Sequence, residues 1–97
     1  MNFQRAVKKR ANGYCEACGT WAKDGGQAHH IVFKGMGGSK LLDDPINGKW
    51  LCPECHYKAH NKREFDLRLK KELQEKYFSM GLDENEVRRK MGGRLYE

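Results

Sequence analysis

The sequence predicts a small α+β domain stapled by a metal site, and three observations lead there. Two C-x-x-C pairs, Cys15/Cys18 and Cys52/Cys55, frame the middle of the chain. Two short β-rich runs accompany them, residues 27–33 (QAHHIVF) and residues 49–51 (KWL). From residue 63 to residue 80 the pattern turns helical, with Phe65, Leu69, Leu73 and Tyr77 four apart on one stripe.

Each element has a local reason. Residues 2–11 (NFQRAVKKRA) read as a short basic helix with Phe3 and Val7 on one side, ended by Gly13. The first C-x-x-C turn follows, and Lys23-Asp24-Gly25-Gly26 signals the turn into the first strand. Residues 34–48, with Gly35, Gly37, Gly38 and Gly48, read as a long loop, and so long a loop in a small domain is expected to be functional. The second strand runs into the second cysteine pair. Pro53 suits the first turn of a helix carrying His56 and His60. Gly81 stops the long helix, and Asp83 with Glu86 forms a D-x-x-E start for a last helix closed by Gly92-Gly93. The stripe on the long helix is core or a dimer seam.

With 97 residues the chain is read as a single domain, 1–97, without repeats or linkers. Mean hydropathy is -0.93, and no run approaches the about 20 apolar residues of a membrane span. Residues 1–12 lack the apolar stretch of a secretory leader, so a cytoplasmic, reducing compartment is expected. Nineteen Lys+Arg against thirteen Asp+Glu give a net charge of +6, with a pI near 9.3. That balance favours a polyanionic partner, although many small soluble proteins are also basic.

Two C-x-x-C pairs are the common way to present four thiolates to one tetrahedral Zn²⁺, because tight turns bring the ligands together in twos. Thirty-three residues separate Cys18 from Cys52, more than in a usual zinc ribbon, so the intervening segment must be a folded insert. Two disulfides fit less well in a reducing compartment, and a redox C-x-x-C leaves the second pair unexplained. The zinc would be architectural.

All four histidines fall in two clusters. His56 and His60 are one helical turn apart, which suits two ligands on one metal and equally two solvated histidines. His56 follows Cys55 directly, so the zinc turn would set where it points. His29 and His30 are neighbours on a strand and should point to different sides. One can then join His56 and His60 on a metal while the other stays metal-free as a base, since a neutral imidazole suits proton abstraction near pH 7. A polar strand end is the plainer alternative.

Taken together, Cys15-x-x-Cys18, the run Ala28-His29-His30-Ile31, Asn47 and Leu51-Cys52-x-x-Cys55-His56-x-x-x-His60 resemble the HNH (ββα-metal, His-Me finger) endonuclease family. The resemblance spans residues 15–60, about half the chain. It implies a ββα-metal domain with flanking helices, His30 as general base, and Asn47 bracing the loop that orients that base. It further implies His29 and His56 as ligands of one catalytic divalent ion, with His60 a further ligand as in colicin-type nucleases. Many relatives carry Asp where His29 stands. An all-histidine set suits Zn²⁺, Ni²⁺ or Mn²⁺ better than Mg²⁺.

The expected activity is hydrolysis of DNA phosphodiesters to 5′-phosphate and 3′-hydroxyl ends, by a monomer or weak homodimer. By analogy with stand-alone relatives of this size, phage packaging or recombination proteins are the expected partners. Lys34 to Lys40 around the glycines, Lys8-Lys9-Arg10, Lys62-Arg63 and Arg88-Arg89-Lys90 are candidate phosphate contacts, though such faces are usually just solvated. Residues 61–97 carry no motif. The rival readings are a non-catalytic zinc-knuckle nucleic-acid-binding module and a zinc-ribbon protein-interaction domain.

Overall fold

In the computed structural model, residues 2–32 and 43–96 are described. They form four helices and one two-stranded antiparallel sheet in an α+β arrangement. Helix α1 is Phe3–Ala11, strand β1 is Gln27–His30, and a 3₁₀ turn at Pro45–Asn47 leads into strand β2, Gly48–Leu51. Helix α2 (Pro53–Asn61), α3 (Arg63–Ser79) and α4 (Glu84–Lys90) complete the chain.

Side-chain caps start α1 and α4, while α3 has none. Asn2 accepts the Arg5 N–H at α1 and Asp83 accepts the Glu86 N–H at α4, each with its side chain. Pro53 occupies the first turn of α2, where its missing N–H costs nothing. α1 closes on Asn12 at φ 55°, and Gly13 and Gly81 take φ of 86° and 87° after their helices.

The sheet pairs Gln27 with Leu51, Ala28 with Trp50, His29 with Lys49 and His30 with Gly48. β1 is shorter than the apolar run implies. The expected strand continued to residue 33, but the ladder ends at His30 because Asn47 takes over its bonding. Its carbonyl accepts the Ile31 N–H at 2.8 Å, and its side-chain amide clamps both backbone groups of Val32. Ile31 and Val32 therefore leave the sheet and turn into the core. Of the expected glycine loop, residues 34–42 lie outside the described residues, as does Phe33. Of its described part, Asp43 and Asp44 lead into the 3₁₀ turn at Pro45–Asn47, and Gly48 is the first residue of β2.

Helix α1 lies on the sheet at Gly48, and only glycine fits: a Cβ there would stand 2.5 Å from Val7 and 2.7 Å from Phe3. The stripe on α3 is core. Leu69, Leu73 and Tyr77 are buried among Ile31, Val32, Leu51, Ala59, Val87 and Met91, with Phe65 packed at the edge. Residues 61–96 thus carry much of the apolar side of the domain. Among the described residues no helix is long and apolar enough to cross a membrane.

One of the expected phosphate contacts is committed to structure instead. Arg10 makes a two-pronged pair with Glu16 at 2.7 and 3.0 Å. It also donates to the carbonyls of Pro45 and Gly48 at 2.8 and 2.7 Å. Glu16 in turn accepts the Trp50 N–H at 2.9 Å. This network ties α1, the first cysteine turn and β2 together and engages four of the five guanidinium N–H donors of Arg10.

Candidate metal centres

The four cysteines converge. Cys15 and Cys18 sit on a turn between α1 and β1, and Cys52 caps α2 one turn before Cys55. Each turn aims backbone N–H groups at sulfur: Ala17 and Cys18 at Cys15 Sγ, and Cys55 at Cys52 Sγ, all at 3.4 Å. Such donors stabilise thiolates. The sulfur atoms lie within 4.8 Å of one another, and Cys18 Sγ is 3.8 Å from Cys52 Sγ. A tetrahedral zinc with bonds of about 2.3 Å has an edge of about 3.8 Å, so the spacing fits the ion. All four are free cysteines, not disulfides.

The electrostatics agree with that fit. A hydrogen bond with the Thr20 hydroxyl pulls the exposed Cys18 thiol down to about 6. Burial pushes Cys52 and Cys55 up, and each neighbouring sulfur pushes Cys55 further. Four adjacent thiolates therefore need a cation among them, and a structural Zn²⁺ matches the donor set. The cluster is compatible with zinc and joins the turn after α1 to the start of α2.

A second cluster forms 4.8 Å across or less, from His29, His56 and His60. β1 aims His29 inward, where it is 2% exposed, and α2 presents His56 and His60 from consecutive turns. The Nε2 atoms of His56 and His60 are 3.0 Å apart. The three rings stand nearly edge-on, at 73°, 88° and 74° to one another. Ligand bonds of about 2.1 Å place neighbouring nitrogens about 3.0–3.4 Å apart, so these imidazoles can share an ion. Burial, with repulsion from His56 and His60, lowers His29 to about 4, and burial also lowers His56. Neutral rings need lose no proton to ligate. A cavity of about 380 Å³ lined by Gln27, His56, Tyr57 and His60 opens beside them.

His30 takes the other side of the strand. Its ring stacks flat on Phe3, with centroids 4.0 Å apart and planes 4° apart. Nε2 lies 3.1 Å from Asp43 Oδ1. An ionised carboxylate only accepts, so this contact places the N–H on Nε2 and leaves the Nδ1 lone pair to take a proton. Asn47, 0% exposed, receives the Val32 N–H on Oδ1 at 2.9 Å and donates from Nδ2 to the Val32 carbonyl at 3.0 Å. It fixes the chain two residues beyond His30.

The structure thus brings Cys15, Cys18, Cys52 and Cys55 into one cluster and His29, His56 and His60 into another, with His30 next to His29 on β1 and Asn47 bonded to Ile31 and Val32 beyond it. Sequence reasoning missed Phe3, Asp43 and Asp66. Asp43 was hidden in a segment read as glycine loop; an acid directly before the Asp44-Pro45 turn was the available signal. The Asp66 carboxylate opposes the lowering of His29. It is held by Lys70 at 2.8 Å, while its Oδ1 is buried with no hydrogen-bond partner among the described residues. Comparison with family profiles, with curated proteins and with solved structures finds no match for this chain.

Proposed function

We propose that this chain is a metal-dependent DNA endonuclease of the ββα-metal, HNH-like kind. The observation that carries the reading is the division of labour at the end of β1. The buried His29 belongs to a three-imidazole cluster with the half-buried His56 and the exposed His60, while its neighbour His30 stands on the other side of the strand, oriented by a carboxylate. The two rings are close enough that His30 also disfavours charge on His29.

His29, His56 and His60 would hold the divalent ion, with Zn²⁺, Ni²⁺ or Mn²⁺ better suited than Mg²⁺. When bound, such an ion supplies Lewis-acid relief of the charge that develops on phosphoryl and leaving oxygens. His30 accepts a proton from the attacking water on Nδ1 as the new P–O bond forms and the bond to the 3′ oxygen breaks. Asp43 stabilises the imidazolium so formed and keeps the ring's tautomer. Phe3 restricts the ring to one plane. The leaving oxygen takes its proton from solvent, and the ends are 5′-phosphate and 3′-hydroxyl. The partner is DNA, for which the +6 charge supplies general attraction.

Cleavage of supercoiled plasmid by the zinc-loaded chain across a divalent-metal series tests the proposal. His30→Ala should keep its metal affinity and slow cleavage by about 10²–10⁴-fold, as loss of a general base does. His29→Ala should lose metal affinity and regain rate at high metal concentration. No metal-dependent cleavage by the wild type, with DNA binding intact, would replace this reading by the non-catalytic zinc-knuckle module. Wild-type cleavage by His30→Ala at saturating metal would remove His30 as the base.

A further inference from the structure

We propose that Tyr14 and Trp21, with Lys8, Lys9 and Lys23 around them, form a stacking platform for the unpaired bases of single-stranded DNA. Trp21 is 58% exposed and Tyr14 48% exposed, in a chain short of apolar residues. The fold does not need these rings. The other tryptophan, Trp50, fills the core at 6% exposure and bonds the Ala22 carbonyl through its ring N–H. The hairpin that carries Tyr14 and Trp21 is closed by backbone bonds, Cys15 N–H to Thr20 O at 2.7 Å and Ala22 N–H to Gly13 O at 2.8 Å. Neither bond involves a side chain.

The rings are nonetheless held in place. They meet edge to face, with centroids 4.9 Å apart and planes at 72°. The indole lies against Gly13, where a Cβ would come within 3.0 Å of it. A surface aromatic that is already ordered loses little entropy on binding, which makes it an efficient contact. Beside it a recess of about 250 Å³ is walled by Lys8, Lys9, Asn12, Gly13, Trp21 and Lys23. That is below the about 300–1,000 Å³ of a small-molecule site, so it is a shelf for a flat group and not an enclosing pocket.

The chemistry of the shelf selects its occupant. Three lysines and no acidic residue line the recess, which suits a polyanion, although the Lys8 ammonium also lies 5.4 Å over the Trp50 ring; the core of a protein interface is depleted in lysine. An exposed indole face adds affinity only where a base face is free to meet it. Bases in a duplex already stack on each other, so unpaired bases are the match. The shelf also lies at the end of α1 opposite to the one that carries the His30 contact. Lys8 and Lys9 occupy the end of α1, and Phe3 at its start stacks on His30. A nine-residue helix is about 14 Å long, the reach of up to about four nucleotides. As a statement about substrate, namely DNA with a single-stranded stretch, this inference rests on the nuclease proposal. As a statement about binding it does not.

The test is fluorescence anisotropy with a labelled oligothymidylate of about twelve nucleotides and a duplex of the same length, on the zinc-loaded protein without added divalent ion. Expected are tighter binding of the single strand, a loss of about 5- to 100-fold for Trp21→Ala, and retention of most affinity by Trp21→Phe. Lys23→Ala should weaken single strand and duplex alike and lower the salt dependence by about one phosphate contact. On the unaltered protein, the oligomer should quench the exposed tryptophan emission and shield it from acrylamide, which serves even where a variant fails to fold. Unchanged emission, or wild-type affinity in a folded Trp21→Ala, overturns the proposal. So does loss of binding to anionic vesicles in Trp21→Ala with oligomer binding intact, which would make the surface a membrane contact. A chain that binds the oligomer yet never cuts DNA retires the nuclease proposal alone.

Discussion

Asn47 offers the most direct test of how this fold holds its histidines. Its side chain is fully buried and satisfies the N–H and the carbonyl of Val32, at 2.9 and 3.0 Å. Asn47→Ala leaves both backbone groups buried and unmatched. Each costs about 1–3 kcal/mol, so the variant should lose about 2–6 kcal/mol. A domain of this size has about 5–15 kcal/mol in total, so the loss is a large part of it. Asn47→Asp is nearly isosteric and sharper. It keeps the acceptor but turns a carboxylate oxygen toward the Val32 carbonyl, so at pH 7 it should be at least as damaging as alanine. Protonating that carboxyl restores a donor. Its pKa in the folded state is then raised, and stability relative to wild type should be greatest at low pH and fall as pH rises through the raised value. Urea denaturation at several pH values, with zinc content checked, measures all of this. A loss below about 0.5 kcal/mol in Asn47→Ala, or an Asn47→Asp as stable as wild type at pH 7, would refute the clamp.

Three further outcomes are expected. Cys52→Ser should release tightly held zinc and lose cooperative unfolding, because the ion substitutes for core that a chain this small lacks; a full zinc complement with an unaltered melting transition would exclude a four-cysteine site. His29, lowered to about 4 in the folded chain and near 6.5 when unfolded, binds fewer protons folded than unfolded between those values. Stability from this group is therefore complete above about pH 6.5 and declines as pH falls toward 4; between pH 7 and pH 5 the loss should be about 2 kcal/mol and should be missing in His29→Gln, as chemical denaturation of both proteins will show. Asp43→Ala should slow cleavage by about 10- to 100-fold, the worth of one charged hydrogen bond, while leaving metal affinity unchanged in calorimetric titration; a rate equal to wild type would mean that His30 needs no partner.

What the sequence determined by itself is mostly local. The cap at Asp83, Pro53 in the first turn of α2 and the stripe from Phe65 to Tyr77 depend on neighbours three or four residues away, and a helix has no freedom to arrange them otherwise. The C-x-x-C turns and the opposed directions of His29 and His30 are of the same kind, since strand alternation separates adjacent side chains. Tertiary structure decided the rest. Whether β1 ended at His30 or ran on depended on Asn47, fifteen residues beyond Val32, taking the place of a strand partner. The length of β1 is therefore invisible to β propensity, which Ile31 and Val32 satisfy either way. Asp43 meets His30 across thirteen residues, and Arg10 reaches Pro45 and Gly48 across 35 and 38. Nothing in a chain's local pattern ranks one such encounter over another. They are selected by which side chains can share buried space once α1, the sheet and α2 have packed, and that selection is also what brings His29 to the two histidines of α2.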